Sequence, residues 1–290
     1  MSTLFFDQVS LGFALRQLEE EILGPCFWAP ATHRQTQFLI WYQNNRDELT
    51  SDLSNQAMAS LDDHEELNLF LKRRDCGAMF RPFDGVSVAS VIDLLVDWPL
   101  TADITSISRL ESADSQQYVA LKLLPDCVQI YDVPGYTNPL AVIETRTGCQ
   151  LWIMAISQPK DGLELALTAQ QIRQAGKNPW KDQGLGLVLP MVYIEPTEVD
   201  LTWMIGAHTV SPKRGYQGLI QAFQRYSLTI GEENARAKIV TGLANTRSFG
   251  QPTDIVISEP ALIFFTQPGL NLALSPAFVD KDNWIPLSAA

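Results

Sequence analysis

Histidine is scarce in this chain. His33, His64 and His208 are the three in 290 residues, and none stands in a spacing that holds a metal. His64 lies among Asp62, Asp63, Glu65 and Glu66, but neighbouring residues of a helix point in different directions. A solvated acidic helix start is the expected reading, and a structural role is expected for His208. Cysteine is scarce too: Cys26, Cys76, Cys127 and Cys149 are widely spaced, with no CxxC. They predict buried free thiols in a reducing compartment rather than a disulfide scaffold.

Positive charge is in deficit. Twenty-one Lys and Arg face 33 Asp and Glu, a formal charge of −12, which argues against nucleic acid or an anionic membrane surface as a partner. No apolar run approaches the roughly 18 to 20 residues needed to span a bilayer. The N-terminal segment Met1 to Asp7 has no basic flank and soon meets Glu19-Glu20-Glu21, so no secretory signal is expected and the expected location is cytoplasmic.

The common catalytic signatures are missing as well. There is no GxSxG, no P-loop and no GxGxxG after a strand; Gly184-Leu185-Gly186 comes before a strand, the wrong order for a dinucleotide turn. No cysteine is paired with a histidine base by sequence. The seven tryptophans are scattered, which suits core filling better than a stacking platform. The expectation is therefore no enzyme, no catalytic residue, no metal and no cofactor.

What is present is ample apolar material: 46% hydrophobic residues against 19% charged, the balance of a chain that buries a sizeable core. The first hundred residues read as mainly helical. Leu11, Leu15, Leu18 and Ile22 recur at helical spacing before Gly24-Pro25. Thr36–Glu48, Ser60–Arg74 and Val86–Trp98 are further predicted helices, with Thr50–Ala59 as a connection.

From Tyr118 the pattern turns to β. Tyr118–Leu124, Val128–Val133, Leu140–Thr145 and Cys149–Ile156 are short runs rich in β-branched and aromatic residues, punctuated by Pro and Gly. Thr168-Ala169-Gln170-Gln171 has capping-box spacing and predicts a helix ending at Gly176. Strands are expected over Leu185–Ile194 and Val199–Ala207, with a last one carrying Leu270, Leu272 and Leu274. Leu219–Ile230 also fits a helix through Leu219, Phe223, Tyr226 and Ile230; strand is preferred because Gly231 ends the run and Tyr226, Thr229 and Ile230 favour extended geometry.

Between Gly231 and the apolar run Glu259-Pro260-Ala261-Leu262-Ile263-Phe264-Phe265 lies a long irregular stretch of small and polar residues. Connections in compact domains are mostly about 2 to 6 residues, so a loop of this length, 233–258, draws attention as the functional element.

The order of segments in the second half resembles that of the serpins, the large conformationally trapped protease inhibitors. The strand Cys149–Ile156, running into Pro159 and then Asp161-Gly-Leu-Glu-Leu-Ala-Leu-Thr168, is similar to a serpin strand and its following helix. Leu187-Val-Leu-Pro-Met-Val-Tyr-Ile194 resembles the next strand. Leu228-Thr-Ile-Gly-Glu-Glu-Asn-Ala-Arg-Ala237 resembles the strand end and hinge where the reactive loop begins, and Glu259–Phe265 with Leu270–Phe278 resembles the closing strand pair. The resemblance covers residues 118–290. It implies an α+β, serpin-like fold: one domain over 1–290, with a helical N-terminal portion (1–100) packed on large, mostly antiparallel sheets and a long exposed loop.

The same resemblance implies a hinge at Glu232, Glu233, Asn234, Ala235 and Ala237, and a bait bond near Arg247-Ser248. An arginine there suits a trypsin-like serine protease with an acidic specificity pocket. In a serpin the cleaved loop adds a strand to the main sheet, so alternate residues meet a buried surface. Ala235, Ala237, Ile239 and Thr241 fall on one face; Arg236, Lys238, Val240 and Gly242 fall on the other. The small alternating residues favour an inhibitor. Asn234, Arg236, Lys238 and Ile239, bulky where a hinge must slide, favour a non-inhibitory protein that binds a partner through the loop or a pocket. An enzyme with a spatially assembled site ranks third.

Overall fold

In the computed structural model of this chain, Asp7 starts the first helix: its carboxylate accepts from the amides of Val9 and Ser10 at 2.8 and 3.2 Å, donors that a helix start leaves unpaired. The structure describes residues 4–49, 57–61, 63–73, 80–82, 86–90, 97–98, 102–108, 116–146, 148–181, 184–231 and 254–287.

The N-terminal elements are β1 (Leu4–Phe5), α1 (Gln8–Leu18), β2 (Trp28–Ala29), α2 (His33–Asn45), β3 (Ala57–Leu61), α3 (His64–Lys72) and β4 (Val86–Ser90). Then follow β5 (Asp103–Ser108), β6 (Gln117–Leu123), β7 (Val128–Asp132), β8 (Leu140–Glu144), β9 (Gln150–Ala155), α4 (Gly162–Gln174) and β10 (Asn178–Pro179). The C-terminal third holds β11 (Leu187–Pro190), β12 (Val192–Asp200), β13 (His208–Ser211), β14 (Gly215–Gly218), β15 (Phe223–Ile230), β16 (Ile255–Val256), β17 (Ala261–Thr266) and β18 (Leu274–Val279).

Among the described residues the strands form five sheets: β1-β18-β17-β9-β8-β7-β10, β16-β11-β6-β5, β14-β13-β2, and the pairs β12-β15 and β3-β4. All the registers described are antiparallel except β11 with β16. The chain divides into two compact units, one of 1–6, 95–197 and 226–290, the other of 7–94 and 198–225.

The first unit is built on the seven-stranded sheet, one face of which α4 covers. Leu165, Ala169 and Ile172 of α4 are fully buried with Val142, Trp152, Leu262, Phe264 and Phe278 of the strands. Each large apolar side chain buried this way contributes about 1.5–3 kcal/mol. Trp152 carries the cations Arg173 and Lys177 over its ring at 5.3 and 4.3 Å, and burial with the neighbouring Arg173 pulls the Lys177 ammonium down. The β17–β18 register shifts between Ile263 and Phe265, close to Ser275, whose φ of 48° is left-handed. Its carbonyl accepts from the Tyr226 hydroxyl at 2.9 Å.

In the second unit α1 packs against β3 and β4. Gly12 lets α1 approach closely, because a Cβ there would stand 3.0 Å from the Trp41 ring and 3.1 Å from Leu49. The helix runs on as a π turn over Glu19–Leu23 and stops at Gly24, φ 78°, where glycine tolerates the left-handed region that other residues avoid. Thr32 and Gln35 form a reciprocal capping box at the start of α2.

Several expectations give way to longer-range pairing. Val86–Ser90, expected as the start of a helix, is a strand registered against β3, and Ser87 and Ala89 point into the unit while Val88 is half-buried. The same pairing claims Ala57–Leu61 as strand. That shortens the predicted connection and moves the start of α3 to His64, where Asp63 caps Glu66. Helix α4 begins at Gly162, capped by Asp161 accepting from Glu164 at 2.9 Å, so Thr168 lies mid-helix and its box spacing is coincidental. Beyond Asp200 the predicted strand breaks into a 3-10 turn at Thr202–Met204, because the Asp200 carboxylate accepts from both the amide and hydroxyl of Thr202. Residues 219–222 precede β15 and 270–273 precede β18, outside the strands expected to include them.

Candidate functional site

Arg247 and Ser248, expected as the bait bond, and Glu232, Glu233, Asn234, Ala235 and Ala237, expected as the hinge, lie outside the described residues, as does Cys76. What the structure defines is the two points from which 232–253 departs and to which it returns, both in the first unit.

At the departure point β15 ends with Ile230 fully buried. The carbonyl of the next residue, Gly231, accepts from the indole Nε1 of Trp98 at 2.9 Å. Trp98 is 1% exposed, so its N–H finds its partner inside the protein, as a buried indole requires.

At the return point Asp254 makes two bonds. One carboxylate oxygen accepts from the Gly186 amide at 3.1 Å, and the other lies 2.7 Å from the Lys122 ammonium. From there the Ile255 amide donates to Gly186 O at 3.0 Å and the Ile257 amide to Val188 O at 2.8 Å, which lays β16 parallel to β11 in the register Leu187–Ile255 and Val188–Val256. The boundary read from sequence at 258 is thus too late. Residues 254–258 belong to the sheet margin, with Ile257 buried, and the apolar triplet Ile255-Val256-Ile257 was the available signal.

Gly186 explains the glycine pair that offered no nucleotide site. A Cβ on it would stand 2.7 Å from the Leu123 carbonyl and 2.8 Å from the Asp254 carboxylate. Backbone cannot yield at that distance, so only glycine lets Asp254 reach the Gly186 amide.

The second unit contains a buried carboxyl cluster that sequence reasoning missed. Glu19 is 1% exposed; its carboxylate accepts from Trp28 Nε1 and the Tyr42 hydroxyl, each at 2.9 Å, and lies 2.5 Å from an Arg46 nitrogen. Burial pushes its carboxyl up, opposed by Arg46, Tyr42 and Trp28. Burial and the Glu19 charge push the Tyr42 hydroxyl far up as well. The cluster lies beside a small cavity of about 100 Å³ lined by Cys26, Phe27, Trp28, Tyr42, Gln43 and Arg46. The Cys26 thiol is pushed up by burial, the reverse of what a nucleophilic thiolate requires. Two hydrogen bonds and the Arg46 charge hold the Glu19 carboxylate in place, so the cluster orients these side chains.

The remaining predicted groups fall to local roles. Asp63 caps α3, and Glu66 accepts from the Ser60 hydroxyl at 2.8 Å. His208 stacks on Tyr216 with centroids 5.4 Å apart. Cys26 and Cys127 are free and buried, whereas Cys149 is free and half-exposed, at the turn before β9 and not within the core as expected. Among the described residues no helix is long and apolar enough to cross a membrane.

No protein-family model and no curated protein matches the sequence. The structure does match solved structures. Thyroxine-binding globulin in complex with thyroxine superposes with a TM-score of 0.56 at 12% identity, covering 96% of this chain and 92% of that one. Mouse protein-Z dependent protease inhibitor gives 0.54 at 8% identity over 96% and 91%, and human thyroxine-binding globulin gives 0.52 at 12% over 96% and 91%. These are serpin structures, and the chain has the serpin fold.

Proposed function

We propose that this serpin-fold chain offers residues 232–253 as bait to a trypsin-like serine protease, with Arg247–Ser248 the bond presented and strand insertion the trap. The observation that carries the reading is the anchoring of both ends of the span in one unit: Gly231 by Trp98, Asp254 by Lys122 and the Gly186 amide. A bait has to be held at both ends to be presented, and a trap needs a fixed scaffold against which strain is released on cutting. The chain itself performs no bond chemistry in this role. The protease serine attacks the Arg247 carbonyl, the peptide bond breaks, and the protease is held as its acyl-enzyme if insertion outpaces hydrolysis. Residues 1–290 act as one serpin-like domain, and the free thiols of Cys26, Cys127 and Cys149 favour a cytoplasmic setting.

A second reading has its own support. Arg236, Lys238 and Ile239 are large for a segment that must slide into a sheet, and two of the structural neighbours are thyroxine-binding globulin rather than a protease inhibitor. In that reading the chain binds a partner without trapping it.

Equimolar mixing with trypsin, followed by a denaturing gel, separates the two. A band at the summed mass of protease and chain, sensitive to hydroxylamine, is the result expected of a trap. Cleavage at Arg247 with no such band removes the trap and leaves the binder.

A further inference from the structure

The hairpin β13–β14, together with β2, forms a small sheet in the second unit, and one of its faces is apolar and open. Val210 pairs with Tyr216 across the hairpin, and Thr209 pairs with Trp28 on the other side. One step further in that register Phe27 stands beside Val210. Phe27, Val210 and Tyr216 are 79%, 71% and 68% exposed, a row of large apolar side chains in water. Trp28, Thr209 and Ser211, on the opposite face, are buried.

The edge of this sheet is also open. Among the described residues β14 pairs with β13 alone. Leu219 donates its amide to Ala207 O at 2.9 Å. Antiparallel pairs alternate, so Gln217 and Gly215 also bond inward and Tyr216 and Gly218 turn their amide and carbonyl groups outward. Exposed edges are normally blunted by lysine, proline or a bulge. This one reads Gly215-Tyr216-Gln217-Gly218, without charge or proline, and a Cβ at Gly215 would meet nothing within 4 Å.

Charge selects the occupant. The turn that joins the two strands exposes Lys213 and Arg214, neither ion-paired among the described residues, in a chain of net charge −12. A cationic tip beside a bare edge and an apolar row is complementary to a strand that alternates acidic and apolar residues. A second copy would set net charge −12 against −12 and an anionic membrane an extended negative surface, whereas a short acidic segment brings only a few carboxylates, placed against the two local cations.

We propose that β14 is a docking edge for an extended acidic peptide segment of a partner protein. The segment's backbone pairs with Tyr216 and Gly218, its apolar side chains extend the Phe27–Val210–Tyr216 row, and its carboxylates meet Lys213 and Arg214.

The test uses the full chain and a fluorescein-labelled acetyl-Glu-Val-Glu-Ile-Glu-Val-Glu amide, with the corresponding Lys-Val-Lys-Ile-Lys-Val-Lys peptide as control. Anisotropy is expected to rise with the acidic peptide, with at least about tenfold weaker binding of the basic one. Hydrogen exchange is expected to slow at the Tyr216 and Gly218 amides on binding. Lys213→Glu/Arg214→Glu, changes at exposed positions, should weaken the acidic peptide about tenfold or more. Val210→Thr/Tyr216→Thr, which keeps strand-forming residues, should do the same at unchanged circular dichroism. Equal binding of the two peptides, no binding of either, or unchanged exchange at Tyr216 and Gly218 would overturn the proposal. So would binding to phosphatidylserine vesicles without peptide binding, or a sedimentation-detected dimer lost in the Tyr216 variant, since these assign the face to a membrane or to a second copy.

Discussion

Trp98 holds Gly231: the indole N–H of one donates to the carbonyl of the other across 133 positions of sequence, at the last residue described before 232–253. The ring is sealed from water, so the indole N–H has no solvent to fall back on, while Gly231 is half-buried.

Replacing Trp98 with Phe keeps most of the ring and deletes the donor. Losing a hydrogen bond to a half-buried carbonyl costs about 0.5–1.5 kcal/mol, and the smaller ring adds a cavity cost on top. Urea unfolding should show a loss of that order, and amide exchange should accelerate at Ile230 and Gly231. A variant as stable as the parent, with unchanged exchange, would show that the bond does not anchor the span.

The other end behaves differently because its ion pair is partly in water. The Lys122 and Asp254 side chains are 35% and 22% exposed, so Lys122→Ala should cost under about 1 kcal/mol. Asp254→Ala also strips the Gly186 amide of its acceptor and should speed exchange at the Ile255 and Ile257 amides about tenfold. Equal effects of the two substitutions would mean that the amide bond contributes nothing.

Glu19 gives the second unit a pH dependence. Burial, against the pull of Arg46, Tyr42 and Trp28, raises its carboxyl above the ordinary 4.5. A carboxyl whose folded pKa exceeds its unfolded one favours the folded state while protonated. That contribution is complete below the unfolded value and is lost as pH rises through the folded value. Parent stability measured relative to Glu19→Gln should therefore decline from pH 4 upward and then level off. A difference that stays flat, or grows with pH, contradicts the assignment.

Much of the fold was legible because local signals and tertiary structure agree in the β-rich half. The runs 128–133, 140–145 and 149–156 are apolar enough to be strands wherever they sit, and they became β7, β8 and β9. Val86–Ser90 was not legible. Its five residues carry no helical or strand period long enough to decide, and its state is set by a partner, Ala57–Leu61, that is itself ambiguous. Thr168 shows the opposite error, a capping spacing with no cap, because Asp161 had already started the helix seven residues earlier. The anchors were invisible for the same reason as β4. Nothing in the sequence around Trp98, Lys122 or Gly186 indicates a partner more than sixty residues away, whereas the apolar runs that end at Ile230 and begin at Ala261 are local and legible.

The central claim is that cutting 232–253 releases a strand into a sheet, and limited trypsin digestion tests it most directly. The cut is located by mass, and intact and cleaved chains are then unfolded by heat. Cleavage between Arg247 and Ser248 should raise the unfolding temperature by roughly 10 °C or more, the shift expected if an added strand contributes several kcal/mol. Arg247→Glu should abolish that cut and the rise with it. Cleavage at Arg247 that leaves the unfolding temperature where it was would contradict insertion and remove the trap from this protein.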